Sequence, residues 1–180
     1  MATEIELERT FLARSLPAGL DAAVTRVITD HYLPADTQHP IIRLRANGDV
    51  YELTKKQPID GVDSTMQHEH TIPLSNSEYD VFSSLPAKLV SKRRYDCLLD
   101  GHAAQVDVFQ SDLAGLVVID FEFPTQTAMA AFEPPDICLA DVSQDVFIAG
   151  GVLAGKSYAD IEPYLKKYNY QPLTVPGATA

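Results

Sequence analysis

Glu4-Ile5-Glu6-Leu7-Glu8-Arg9-Thr10-Phe11-Leu12 is the stretch on which the fold turns. Extended backbone sends successive side chains to opposite faces. Glu4, Glu6, Glu8 and Thr10 then share one face, and Ile5, Leu7, Arg9 and Phe11 the other. Carboxylates stacked on one strand face repel each other unless cations stand opposite them. Those cations are either a bound metal or basic side chains from neighbouring strands. The rest of the sequence offers both.

At 180 residues, 46% hydrophobic and 22% charged, the chain has the size and composition of one globular domain with a core of its own. Its formal net charge of -11 disfavours nonspecific binding to nucleic acid or to an anionic membrane surface. No apolar run approaches the roughly 20 residues that span a bilayer. The N-terminal segment reads as an acidic strand and not as a basic and then apolar leader. Cys97 and Cys138 lack close spacing, which fits a reduced compartment and no disulfide. The expectation is a soluble cytoplasmic domain, with nucleic acid and membrane excluded as partners and a homodimer left open.

Outward from the first strand, Pro17 and Gly19 mark a turn. Leu20, Ala23, Val24, Val27 and Ile28 then follow the i, i+3, i+4 spacing that predicts an amphipathic helix over 20–29. Tyr32-Leu33 starts a short strand that Pro34 cuts. Ile41 to Arg45 and Val50 to Lys56 are strands joined at Asn47-Gly48, a hairpin signal. Further strands are expected at 65–74, 87–98, 105–109 and 115–123, with a turn at Asp100-Gly101. Short helices are expected at 76–85 and 127–132, a terminal helix at about 157–168, and a frayed tail after it. About eight strands against a few helices favour an antiparallel sheet or barrel over β-α-β units.

Charges recur at alternating positions of these strands. Glu4, Glu6, Glu8, Glu69, Asp107, Asp120 and Glu122 are the acids; Arg43, Arg45, Lys56, Lys92 and Arg94 are the bases. An ordinary half-buried strand puts such charges on a solvated face. If the strands close into a barrel, one alternating set points into the lumen. A lumen of that kind suits phosphoryl chemistry: guanidinium and ammonium groups clamp phosphate oxygens, and carboxylates hold a hard divalent cation.

Several segments carry a family resemblance. Glu6-Leu7-Glu8-Arg9-Thr10-Phe11-Leu12 resembles the N-terminal E-x-E-x-K motif of the CYTH superfamily, the triphosphate tunnel metalloenzymes, with Thr10 in place of the lysine. Arg43-Leu44-Arg45 resembles the family's R-x-R strand, Thr54 and Lys56 its T-x-K, Lys92-Arg93-Arg94-Tyr95 its K-x-R-Y, and Val106-Asp107-Val108-Phe109 its V-D-x-F. Leu113 to Leu116 with Asp120-Phe121-Glu122 is similar to its LAGL…E-x-E, with Asp120 replacing a glutamate. Asp141-Val142-Ser143 and Asp145 are similar to its E-V-T-x-D. The matches run in the family's order across residues 4 to 145.

The resemblance implies an α+β, mainly β fold: a closed eight-stranded antiparallel barrel forming a tunnel, short helices outside, and one domain over 1–180. It implies Mg²⁺ or Mn²⁺ at Glu6, Glu8, Asp107, Asp120 and Glu122. Triphosphate binding falls to Arg43, Arg45, Lys56, Lys92 and Arg94, and Glu6, Glu8, Lys92 and Arg94 are the expected catalytic groups. The implied activity is metal-dependent hydrolysis of a small-molecule triphosphate, whether inorganic triphosphate, thiamine triphosphate or a nucleotide. Thr10, Gln67, Thr71 and the Val146-Phe147-Ile148-Ala149 run depart from the family's charged pattern. These losses leave two alternatives: a noncatalytic phosphate- or nucleotide-binding domain, and an adenylate cyclase.

Two motifs compete. Gly150-Gly151-Val152-Leu153-Ala154-Gly155-Lys156-Ser157 satisfies G-x-x-x-x-G-K-S, the phosphate-cradling loop. Too few residues follow it for further parallel strands, so a glycine-rich turn leading into a capped helix is the expectation. His68-Glu69-His70 has a spacing compatible with zinc but no evident third ligand, so surface histidines are expected.

Overall fold

A computed structural model of the chain describes residues 4–20, 23–59 and 63–174. Nine strands are present among them: β1 (Glu4–Ala13), β2 (Val24–Leu33), β3 (Ile42–Asn47), β4 (Val50–Pro58), β5 (Met66–Leu74), β6 (Lys88–Leu99), β7 (His102–Phe109), β8 (Val117–Glu122) and β9 (Cys138–Asp141). They run antiparallel in the order β5-β4-β3-β2-β6-β7-β8-β1, and β1 pairs with β5 to close an eight-stranded barrel. Beyond the reach of β5, β9 takes over the same edge of β1, with Phe11 opposite Asp141.

Local chemistry sets the tight connections. Gly48, at φ 59°, turns the chain between the paired Asn47 and Val50. Asp100 and Gly101 are both left-handed, the two-residue geometry that matches the twist of the flanking β6 and β7. Helix α1 (Asn76–Ser83) starts at a capping box in which Ser75 and Glu78 bond reciprocally. It lies against the outside of β3, β4 and β5, with Tyr79 stacked on Tyr51 at 4.3 Å.

The sequence expectation of a helix over 20–29 is overturned. Residues 21 and 22 lie outside the described residues, and 24–33 form β2. Burial there alternates at Ile28, Asp30 and Tyr32, while Val24 and Val27 are exposed. The apolar spacing satisfied a helical template by coincidence. Val24, Thr25, Val27, Ile28 and Thr29 are β-branched, and pairing on both edges with β3 and β6 uses that preference.

Two apolar cores hold the barrel. On the outside, Phe11, Tyr95, Val106, Val117, Ile119 and Phe121 pack under Phe132, which follows helix α2 (Gln126–Ala130). The second core fills one end of the lumen. Leu12, Tyr32, Val90, Phe109 and Val118 have the same strand parity as the lumenal charges. They pack against Phe147, Leu153 of helix α3 (Gly150–Leu153), Ile161 and Leu165 of helix α4 (Tyr158–Leu165), and Tyr170. The lumenal rows are therefore charged in the middle and apolar where the C-terminal segment stops them. No helix among the described residues is long and apolar enough to cross a membrane.

Candidate functional site in the tunnel

The lumen encloses a cavity of about 420 Å³. Its walls carry eight carboxylates, from Glu6, Glu8, Glu52, Glu69, Asp107, Asp120, Glu122 and Asp145, against five basic side chains, Arg43, Arg45, Lys56, Lys92 and Arg94. All ten charged residues of the sequence-expected site with an assigned ligand or metal role line this one cavity, together with Thr10. The side chain of Glu4 lies outside what the structure describes.

On the acidic wall, the alternation of β1 delivers Glu6 and Glu8, and the β1–β8 register sets Glu8 opposite Glu122. One oxygen from each of Glu6, Glu8 and Glu122 falls within 4.8 Å of the others. Burial raises the Glu8 carboxyl to about 8, with the neighbouring Asp120 adding to the effect. Burial, and then Glu6, likewise raises Glu122. Asp120 is raised by burial and by Asp107. Crowded acids with too little positive charge beside them behave in this way. Thr10, standing where a lysine would give that charge, donates its hydroxyl to Asp120 Oδ1 at 2.8 Å and lies 3.4 Å from Glu8 Oε1. One hydroxyl proton cannot do the work of an ammonium.

On the basic wall most cations are already held. Asp107, fully buried on β7, accepts from Arg94 Nε and Nη2, each at 2.6 Å, and contacts Lys92 closely. Burial alone would raise its pKa. The attraction of Lys92 and the bonds from Arg94 outweigh burial and bring the carboxyl down to about 2. Asp30, 2% exposed on β2, accepts from Arg45 Nε at 2.7 Å and Nη2 at 2.8 Å, which lowers its pKa despite burial. Lys56 lies between Glu6 and Glu69. Arg43 differs: its buried Nε has no hydrogen-bond partner among the described residues. Arg43 lines the cavity, and a desolvated guanidinium N–H without a partner favours an anion nearby.

Two expectations meet the structure differently. The carboxylate trio comprises Glu6, Glu8 and Glu122 without Asp120 or Asp107, and Asp107 contacts Lys92 and Arg94. Arg45 lines the tunnel, but its guanidinium is committed to Asp30. Sequence reasoning missed Asp30 because it lay just past the misread helix. The alternation Ile28, Asp30, Tyr32 was the signal that could have found it.

The glycine-rich motif forms no phosphate cradle. A Cβ on Gly150 would collide with the Tyr32 hydroxyl, and one on Gly151 with the Pro40 carbonyl, so this backbone is packed against protein. Ser157 and Asp160 form a capping box at the start of α4. His68 and His70 gather no third ligand among the described residues, and Cys97 and Cys138 are free.

No family model matches the chain. It is 32% identical over 141 residues to an inorganic triphosphatase of Nitrosomonas europaea, covering 78% of this chain and 90% of that one. It is 28% identical over 104 residues to an inorganic triphosphatase of Acetivibrio thermocellus, covering 58% of this chain and 65% of the relative. The crystal structure of an inorganic triphosphatase superposes with a TM-score of 0.60 at 26% identity, covering 87% of this chain and 97% of the other. Order of motifs, closed barrel and similarity agree: the chain belongs to the CYTH superfamily of triphosphate tunnel proteins.

Proposed function

We propose that this protein hydrolyses a triphosphate in its tunnel with the help of a divalent cation, and that inorganic triphosphate is the substrate. The observation that carries the reading is the division of one cavity into a carboxylate trio on β1 and β8 and a basic wall with the unpartnered Arg43 Nε. The relatives' activity supports it.

The residues fit a hard divalent ion. The trio is all carboxylate oxygen, the donor type Mg²⁺ and Mn²⁺ prefer, and its raised Glu8 and Glu122 are acids short of positive charge. More carboxylates than cations line the lumen, so a bound divalent ion would favour uptake of a polyanion there. Glu6, Glu8 and Glu122 would hold the ion. When bound, it supplies charge neutralisation at the phosphoryl oxygens and lowers the pKa of water.

The chain's own groups do the rest. Arg43 gives the phosphates an unpaired donor. Arg94 and Lys92, fixed by Asp107, present charge that needs no reorganisation when the terminal phosphoryl becomes more negative. Asp30 holds Arg45 on the same wall. The apolar core under Phe147 and Leu153 shuts one end of the lumen and keeps bulk water from it. Water replaces the terminal phosphoryl's bond to the chain, giving phosphate and pyrophosphate.

The test is phosphate release from inorganic triphosphate, ATP and thiamine triphosphate, each with Mg²⁺, Mn²⁺ or EDTA. Metal-dependent release, greatest with inorganic triphosphate and lost in Glu122→Gln, is the expected result. Binding without release would favour a noncatalytic module, the reading that Thr10 supports; pyrophosphate with cyclic AMP from ATP would mean a cyclase.

A further inference from the structure

Lys56 is the ammonium of the basic wall that rests between two carboxylates. It sits on β4 opposite Glu69 of β5, and Glu6 lies on the next strand, beside Gln67. Its ammonium is 2.9 Å from Glu69 Oε2 and in closer contact with Glu6 Oε2. Burial works against its charge, but the attraction of Glu8 and Glu6 outweighs burial and keeps it protonated. Glu69 is aimed from behind: the Thr71 hydroxyl donates to Glu69 Oε1 at 2.7 Å and is 2.9 Å from the Thr54 hydroxyl.

Arg45 and Arg94 differ, since each is gripped through two nitrogens by one buried aspartate. An ammonium on a four-carbon stem has no such fork and can exchange partners. Glu6 is a member of the carboxylate trio, so Lys56 occupies a lone pair there and sets a positive charge at its rim. A divalent ion on the trio has to share Glu6 with that charge. A phosphate oxygen offers Lys56 a partner at least as strong as Glu6.

Resting on the proposed function, we propose that Lys56 is a positioning residue that couples the two ligands. It stands on Glu6 as the protein's own cation, and a polyphosphate draws it off and hands Glu6 to the metal. Linkage makes the effect reciprocal: polyphosphate tightens metal binding and metal tightens polyphosphate binding by the same factor. Glu69 sets the balance, because it is the other carboxylate on which Lys56 rests.

The experiment measures Mn²⁺ binding by electron paramagnetic resonance, with and without imidotriphosphate, whose P–N–P bridges resist hydrolysis. The Mn²⁺–imidotriphosphate complex in solution is titrated separately and subtracted. Losing one charge-assisted contact to Glu6 should let Lys56→Met bind Mn²⁺ alone about tenfold tighter than the wild type, with little further gain from imidotriphosphate. Glu69→Gln, which leaves Lys56 only Glu6, should bind Mn²⁺ alone more weakly and keep the gain. Each variant carries its own expected sign, so either alone still tests the inference if the other fails to fold. Unchanged Mn²⁺ affinity in Lys56→Met, or tighter binding in Glu69→Gln, overturns the inference while wild-type phosphate release leaves the function standing. A wild type that neither binds Mn²⁺ nor releases phosphate overturns both.

Discussion

Asp107→Asn tests whether Asp107 is a counter-ion or a metal ligand. The carboxylate is fully buried, accepts two 2.6 Å bonds from Arg94 and also contacts Lys92. It ionises at about 2 in the folded chain against an ordinary 3.8. That difference corresponds to about 2 kcal/mol of stability at neutral pH. The sign follows from a lowered folded pKa: the contribution is present above about 4 and is lost as pH falls toward about 2. Removing the charge also strands Lys92 and Arg94, and breaking a buried pair costs about 3–5 kcal/mol. Arg94 keeps Asp120 at 3.3 Å, which places the expected loss at the low end, about 3 kcal/mol. Urea unfolding of wild type and variant from pH 7 to pH 3 reads it. The gap between them should narrow as pH falls, while Mn²⁺ affinity at pH 7 stays at the wild-type value. A gap below about 0.5 kcal/mol at pH 7, the range of an ordinary surface substitution, would refute the counter-ion argument. So would a large loss of Mn²⁺ affinity.

Arg43→Ala should shift the urea midpoint by less than Asp107→Asn does, since its Nε has no described hydrogen-bond partner, yet raise KM for the triphosphate at least about tenfold. Glu8, held at about 8 against an ordinary 4.5, stabilises the fold fully below about pH 4.5 and loses that contribution as pH rises through about 8. In EDTA, stability should fall over that window, and Thr10→Lys, which adds a cation beside Glu8 and Asp120, should flatten the fall in urea titrations. Lys156→Ala should release phosphate within about twofold of wild type, because Lys156 is not among the residues that line the cavity; a kcat loss as large as that of an essential phosphate-binding lysine would reinstate the loop.

Much of the site was legible in β1. Alternation alone put Glu6, Glu8 and Thr10 on one face, and the tunnel lining agrees. The same period-two argument found Arg43, Arg45, Lys92, Arg94, Asp107, Asp120 and Glu122. Where it was set aside for an apolar spacing of three and four, at 24–29, both a strand and the buried Asp30 were lost. Partnership was not legible at all. Which cation meets which carboxylate depends on register across strands far apart in sequence: Lys56 reaches Glu6 because β1 closes on β5, and Arg45 meets Asp30 because β3 pairs with β2. Those contacts separate Arg43, unpaired at its Nε, from Arg45, which is held, though both lie on one strand face two residues apart.

The proposed function requires the trio and the basic wall to act together on a triphosphate. Phosphorus NMR of inorganic triphosphate, incubated with the wild-type protein and Mg²⁺ or Mn²⁺, tests it most directly. Phosphate and pyrophosphate should grow in equal amounts, and EDTA should abolish the growth. Triphosphate that stays intact with either metal present would contradict it.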